Sequence, residues 1–112
     1  MGGTPSPQII NDILFVPTGL GDIAAFDPET GAFLWKRWAG INTAIRSTPA
    51  YTGGKLYFGR WDGMVMGLDI TTHQFTYMVY LDTELSASPS VDGDQLFIGG
   101  HDSIFRSLSL SS

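Results

Sequence analysis

The sequence predicts an all-β fold, a partial β-propeller of about three four-stranded blades whose last blade is incomplete. Three stretches of the chain align with one another, and each opens with Ser or Thr followed by Pro, at Pro7, Pro49 and Pro89. The repeats therefore start 42 and then 40 residues apart. A period near 40 residues, built from several short strands, is typical of propeller blades.

Short apolar strands, separated by turns, recur at matching places in the repeats. The first runs are rich in β-branched and aromatic residues, and each follows a two-residue turn of Asn, Asp or Gly. These runs cover residues 13–16, 55–58 and 95–98. Second strands follow at 23–27, 64–69 and 103–109, and outer strands at 33–38 and 75–81. No stretch shows enough helical periodicity to predict a helix.

The whole chain, residues 1–112, is interpreted as one propeller-repeat domain. We expect the blades to occupy approximately residues 4–45, 46–85 and 86–112. A single small domain fits a chain of this length, with 43% hydrophobic residues and 15% charged residues.

The stretch AAFDPETGAFLW, residues 24–35, contains a polar turn between two strands of the first repeat. Pro28 fixes φ for the second position of a type I turn, and Gly31 can adopt a positive φ. Asp27 and Thr30 can accept hydrogen bonds from amides inside the turn. Trp35 then falls on the outer strand.

This stretch resembles the tryptophan-docking motif of the pyrroloquinoline-quinone-type propeller repeats, in the pattern A-x-D-x-x-T-G-x-x-x-W. The resemblance implies that the Trp of one blade stacks against the Gly-containing turn of the next. It assigns Asp27, Thr30, Gly31 and Trp35 to structural docking. The second repeat has Gly67, Asp69, Thr72, His73 and Tyr77 where Ala, Asp, Thr, Gly and Trp are expected. The third repeat ends without the turn or the Trp.

Composition narrows the classes of function. The net charge is −5, and the six Lys and Arg residues are scattered, so we expect no nucleic-acid binding. The absence of Cys excludes disulfides and thiolate chemistry. No apolar run has the length of a membrane span, and the N-terminal residues do not read as a signal peptide. The residues do not select a compartment, whereas the resemblance implies the periplasm or the extracellular space.

The resemblance also raises the question of a bound quinone. Quinoproteins of this family hold the quinone and a calcium ion at the propeller centre, with a carboxylate base and, in many members, a vicinal disulfide. This chain has no Cys, its carboxylates fall mainly in turns, and three blades cannot surround a central ligand alone. We therefore expect no cofactor, no metal and no catalytic residue in this chain.

A candidate interaction face is predicted on the turns that follow the strands at 55–58 and 95–98, and on the loop before the second blade. It comprises Arg46, Arg60, Trp61, Asp62, His101 and Asp102. Trp and Arg are enriched in binding hot spots. The alternative is that Trp61 packs against a neighbouring blade and Arg60 pairs with a nearby carboxylate.

The favoured function is a non-catalytic binding or assembly module, whose blades associate with other blades or with a protein partner. Self-association or another chain would then complete the propeller. The alternative is a fragment or subunit of a larger quinoprotein-type oxidoreductase propeller whose cofactor is held by other blades.

Overall fold

The computed structural model describes residues 8–17, 21–38, 45, 48–85 and 88–110. These residues form three antiparallel sheets and contain no helix. The first sheet, in the order β1-β2-β3-β4, has strands Gln8–Ile10, Ile13–Pro17, Asp22–Phe26 and Phe33–Trp38. The second, β5-β6-β7-β8, has strands Ala50–Thr52, Lys55–Gly59, Met64–Asp69 and Phe75–Tyr80. The third has strands β9 (Ser90–Asp92), β10 (Gln95–Gly99) and β11 (Phe105–Ser109), with β10 in the middle. The all-β prediction is confirmed.

Each sheet starts with a tight hairpin whose turn residues are suited to positive φ. Asn11 and Asp12 have φ of 52° and 62°, and Gly53 and Gly54 have φ of 59° and 81°. Such pairs favour the primed turns that match the right-handed twist of the flanking strands. The strand predicted at 103–109 begins only at Phe105, because the preceding turn continues through residue 103.

Two apolar clusters join the three sheets face to face. The first cluster lies between the first and second sheets, where Phe15, Ile23 and Ala25 meet Leu56 and Phe58. The second lies between the second and third sheets, and its buried members are Tyr57, Val65, Leu85, Leu96 and Ile98. Neighbouring residues of β6 therefore pack into opposite clusters, because successive side chains of a strand point to opposite faces of the sheet.

The first strands of neighbouring sheets meet at one side of the assembly. Strands β5 and β9 are in contact, and the amide of Thr48 donates a hydrogen bond to Oγ of Ser88 at 2.9 Å. The Ser and Thr residues that open the second and third repeats therefore link these two sheets at their inner strands.

Candidate functional site

Trp35 on β4 lies in the contact between the first and second sheets. Its ring packs edge-on against Phe15 of its own sheet, with ring centroids 5.8 Å apart. On its other side it stacks on the ring of His73, with centroids 4.0 Å apart and an interplanar angle of 21°. The predicted docking Trp therefore contacts the turn of the following blade, and its partner there is a histidine ring.

The turn that carries His73 has the same backbone arrangement as the turn in the first sheet. The Asp27 carboxylate accepts from the amide of Glu29 at 2.9 Å, and the Asp69 carboxylate from the amide of Thr71 at 2.8 Å. Residues 31 and 73 occupy equivalent places, with φ of 76° and 63°. A non-glycine residue seldom adopts this conformation. His73 thus keeps the turn geometry and adds a ring on which Trp35 can stack.

Hydrogen bonds to the backbone hold the Asp69 side chain in its ionised form. Its Oδ1 also accepts from the amide of Thr72 at 3.0 Å. These backbone hydrogen bonds, with that from Thr72 the strongest influence, lower the pKa of the Asp69 carboxyl below its usual value.

Tyr77 takes the place of Trp35 in the second sheet and faces the third. Its ring packs edge-on against Tyr57 at 5.8 Å, and its hydroxyl donates to the carbonyl oxygen of Ser109 at 3.1 Å. The same strand position therefore bridges to the following sheet in both four-stranded blades.

The first sheet has a second face, turned away from its neighbour. Since Phe15, Ile23 and Ala25 face the second sheet, the alternate residues Leu14 and Val16 lie on the opposite face. Phe26 and Phe33 pack together on this sheet with centroids 5.8 Å apart, and Phe33 remains 57% exposed. We call the surface of Leu14, Val16, Phe26 and Phe33 the leading face.

The third sheet also has an outward face. Leu96 and Ile98 face the second sheet, so Phe97 between them points the other way. The rings of Phe97 and Phe105 stack there with centroids 6.2 Å apart, and Phe105 is 72% exposed. We call the surface of Gln95, Phe97, Phe105 and Ser107 the trailing face.

The turns between the middle strands form a separate polar cluster. Arg60 donates from Nε and Nη2 to the two carboxylate oxygens of Asp62, at 2.9 and 2.7 Å. Arg106 binds both oxygens of Asp102 in the same two-pronged way, at 3.2 and 2.7 Å. Hydrogen bonding by Arg106 lowers the pKa of Asp102. Bidentate ion pairs of this kind fix the orientation of both carboxylates.

The loop that leads into the third sheet binds the turn of that sheet. The amide of His101 donates to the carbonyl oxygen of Glu84 at 3.0 Å, and the amide of Asp102 to Oγ1 of Thr83 at 3.1 Å. The rings of Trp61 and His101 meet edge to face, 4.9 Å apart. The middle and third sheets are thereby connected through their turns.

An acidic depression of about 190 Å³ lies beside this cluster, lined by Trp61, Asp62, Tyr80, Asp82, Thr83 and Glu84. The Tyr80 hydroxyl lies 3.3 Å from Oδ1 of Asp82, and the negative charge of Asp82 raises the pKa of Tyr80. The carboxylates that line the depression therefore favour the binding of a positively charged group. Within the described ranges, no three His, Asp or Glu side chains are grouped so that they could hold a metal ion.

The structure brings together most of the predicted interaction face. Arg60, Trp61 and Asp62 lie beside His101 and Asp102, across the contact between two sheets. Arg46 lies outside the described residues. Whether this cluster binds a partner stays a prediction, as do the stabilising roles assigned to Asp27, Thr30, Gly31 and Trp35. His73 was identified only as a departure from the motif, although its place in the turn equivalent to Gly31 could have marked it as the acceptor of Trp35.

Comparison with known protein families extends over almost the whole chain. The family model described as outer membrane protein assembly factor BamB, a PQQ-repeat model, matches residues 3–112. The chain belongs to the PQQ-type propeller-repeat family. The three sheets are accordingly propeller blades, and the predicted partial propeller is confirmed.

Related sequences include the dehydrogenase subunit of a quinone-dependent alcohol dehydrogenase from Gluconobacter oxydans, 30% identical over 88 residues. The corresponding subunit from Gluconacetobacter polyoxogenes is 28% identical over 87 residues. Each match covers 70% of this PQQ-type chain and 12% of the relative. The chain thus matches about one eighth of the length of these curated relatives.

Solved structures show the same fold. BamB from Moraxella catarrhalis superposes with a TM-score of 0.84 at 23% identity, over 96% of this chain and 33% of that one. The quinohemoprotein alcohol dehydrogenase ADHIIG from Pseudomonas putida HK5 gives 0.85 at 17% identity, over 99% and 19%. The computationally designed Ika4 protein gives 0.79 at 19% identity, over 94% and 64%.

A search of the described residues for a helix that is long and apolar enough to cross a membrane finds none.

Proposed function

We propose that this chain is a non-catalytic assembly module whose leading and trailing faces each bind a further propeller blade. Residues 4–45, 46–85 and 86–112 act as the three blades. The observation that carries this function is the exposure of Phe33 and Phe105 on the two outermost sheet faces, at positions that a neighbouring blade covers elsewhere in the chain.

Equivalent positions in the three blades supply the main support. The ring of Phe15 is fully buried against the second blade, and Tyr57 is buried against the third. Phe97 holds the same position in the third blade, on the trailing face. Ile23 and Val65 are likewise fully buried, whereas their counterpart Phe105 is 72% exposed. The trailing face therefore has the residues of a blade contact, and Phe105 on it is exposed in the described structure.

The leading face has apolar residues at the positions that form a blade contact in the second blade. In the second blade, Leu56, Phe58 and Leu68 form the receiving surface and are fully buried. Leu14, Val16 and Phe26 hold the equivalent positions in the first blade. Burying one large apolar side chain contributes about 1.5–3 kcal/mol. Covering Phe33 and Phe105 therefore contributes part of the driving force for association.

The test uses charge placed on the trailing face. Phe105→Asp should leave the interior of the chain folded and shift its sedimentation toward a single chain at micromolar concentration. Met78→Asp is the matched control, because Met78 is 61% exposed on the outer strand of the middle blade. Unchanged association of Phe105→Asp, with circular dichroism like that of the parent, would refute binding through this face.

A second candidate function is favoured by the sequence relatives, which are subunits of quinone-dependent alcohol dehydrogenases. In that case the chain would contribute blades to a larger oxidoreductase whose cofactor other blades hold. The assembly function predicts that pyrroloquinoline quinone with calcium leaves the melting temperature of the chain unchanged. Ligand at a hundred times its dissociation constant would stabilise the chain by about 2.7 kcal/mol. A clear upward shift would contradict the assembly function, because it would show that this chain itself binds the cofactor.

A further inference from the structure

Two turns of the chain contain an aspartate followed by a glycine, a pair that can convert spontaneously to isoaspartate. Asp62-Gly63 lies between β6 and β7, and Asp92-Gly93 lies between β9 and β10. In this reaction the amide nitrogen of the glycine attacks Cγ of the aspartate, and a five-membered succinimide ring forms with loss of a water molecule. Glycine favours the attack because it has no Cβ and allows many backbone conformations. The two turns therefore carry the same reactive pair in different surroundings.

The reacting groups of Asp62 and Gly63 are held in place by the fold. Arg60 binds both carboxylate oxygens of Asp62, at 2.9 and 2.7 Å, and the Gly63 amide donates to the carbonyl oxygen of Arg60 at 3.0 Å. The turn is also closely packed, because a Cβ on Gly63 would lie 2.8 Å from the carbonyl oxygen of Thr83. The carboxyl carbon of Asp62 therefore reaches the amide nitrogen only after these contacts open.

A second reactive pair, Asp102-Ser103, is held in a similar way. Arg106 binds both carboxylate oxygens of Asp102, at 3.2 and 2.7 Å. The amide of Ser103 donates to the carbonyl oxygen of Gly100 at 3.2 Å. The bidentate arginine and the bonded amide thus recur in this turn, and both restrain the groups that would react.

Asp92-Gly93 lies in a turn that lacks these restraints. Both residues are exposed, and nothing lies within 4 Å of a Cβ placed on Gly93. Among the described residues, no hydrogen bond joins the Asp92 carboxylate or the Gly93 amide to a partner. Local opening of an exposed turn costs little free energy compared with global unfolding. The reacting groups of this pair can therefore rotate toward each other while the blade stays folded.

We infer that Asp92 is the site at which the folded chain forms isoaspartate. The Gly93 nitrogen bonds to Cγ of Asp92, a water molecule leaves, and water then adds to the main-chain carbonyl carbon of the succinimide. Opening of the ring there routes the backbone through Cβ and leaves the former main-chain carboxyl as a side group. The reaction consumes no oxidant or other co-reactant, because the water lost in the first step is regained in the second. This inference does not rest on the proposed assembly function.

The product lengthens the hairpin between β9 and β10 by one backbone atom. Asp92 pairs with Gln95, and Ser90 pairs with Phe97, across a turn of two residues. Because the length of such a turn fixes the pairing of its strands, the added atom should loosen β9 from β10. Strand β9 is also in contact with β5 of the second blade. Conversion at Asp92 therefore weakens the inner side of the contact between these two blades.

The full chain is incubated in neutral buffer below its melting temperature, and its peptides are then analysed by mass spectrometry with electron-transfer fragmentation. This fragmentation distinguishes isoaspartate from aspartate, although the two have the same mass. Digestion at mildly acidic pH limits conversion during handling. Because reaction at Asp62 first requires hydrogen bonds between charged groups to open, we expect conversion at Asp92 to be faster by about tenfold or more.

A parallel incubation in urea separates the effect of structure from that of sequence. Unfolding removes the contact of Arg60 with Asp62, so both Asp-Gly pairs should then convert at similar rates. Asp92→Glu is the matched variant, because it keeps the negative charge but would have to close a less favourable six-membered ring. It should form no product at residue 92. After incubation, amide hydrogen exchange of residues 90–92 should be faster in the parent and unchanged in Asp92→Glu.

Three results would overturn the inference. The first is similar conversion of Asp62 and Asp92 in the folded chain, which would show that the arginine contact gives no protection. The second is a preference for Asp92 that persists in urea, which would assign the difference to sequence alone. The third is a folded chain in which Asp92 stays unmodified, whatever happens in urea, because the hairpin would then protect this residue as well.

Discussion

Replacement of Trp35 by alanine tests the contact between the first two blades. The indole packs between Phe15 of its own blade and His73 of the next, with ring centroids 5.8 Å and 4.0 Å away. Removing it leaves the buried ring of Phe15 beside a void and uncovers His73. We therefore expect Trp35→Ala to destabilise the chain without changing its strand content.

The magnitude follows from the burial of the ring. Replacing a core Trp by Ala costs about 3–5 kcal/mol, and Trp35 is only partly buried, so the lower end applies, about 3 kcal/mol. A change of 1 kcal/mol shifts the melting temperature of a domain near 100 residues by about 4 °C or more. The variant should therefore melt about 12 °C lower than the parent in a thermal scan followed by circular dichroism.

Trp38 supplies the matched control on the same strand. It is 50% exposed, so Trp38→Ala should change the melting temperature much less. A double-mutant cycle with His73→Ala should then give a coupling of about 0.5–1.5 kcal/mol for the stacked pair. A drop below about 4 °C in Trp35→Ala, or no coupling to His73, would show that the stack does not hold the blades together.

The remaining predictions concern the second turn and the second blade contact. The pKa of Asp69 is lowered in the folded chain, so its ionised form stabilises the fold above about pH 4, and that contribution is lost as the pH falls further. Between neutral and acid pH, Asp69→Asn should therefore lose less stability than the parent in chemical denaturation. Parallel curves for the variant and the parent would contradict this. Tyr77→Phe removes the hydrogen bond to the Ser109 carbonyl and should cost about 0.5–1.5 kcal/mol in chemical denaturation. An unchanged free energy of unfolding in Tyr77→Phe would argue against a specific role for this hydroxyl.

The positions of the strands could be predicted because the three repeats align with one another in sequence. Pro7, Pro49 and Pro89 set that alignment, and the turn residues before each first long strand mark the hairpins. The consecutive apolar residues Leu56, Tyr57 and Phe58 on β6 then require two buried faces, and hence neighbours on both sides. The turn residues and the apolar runs are local features of the sequence, so they could be interpreted without knowledge of the tertiary contacts.

The partners of individual side chains were harder to predict, because the repeat does not conserve them. Asp62 is bound by Arg60, two residues before it, whereas Asp102 is bound by Arg106, four residues after it. Gly100 lies at the position of the third repeat that corresponds to Arg60. The third repeat therefore has no arginine there to pair with Asp102 as Arg60 pairs with Asp62. Similarly, His73 replaces the glycine of the docking turn, and the stacking of its ring on Trp35 is visible only in the folded structure.

The central claim is that the blades of this chain associate with further blades. The mass of the unmodified chain in solution tests this claim most directly, and light scattering at micromolar concentration measures it. Phe33 on the leading face and Phe105 on the trailing face are 57% and 72% exposed, at positions where a neighbouring blade would cover them. Contiguous apolar patches of more than a few hundred Å² are rare on monomeric proteins. The account therefore predicts a particle of two or more chains. A stable, monodisperse particle with the mass of one chain would contradict it.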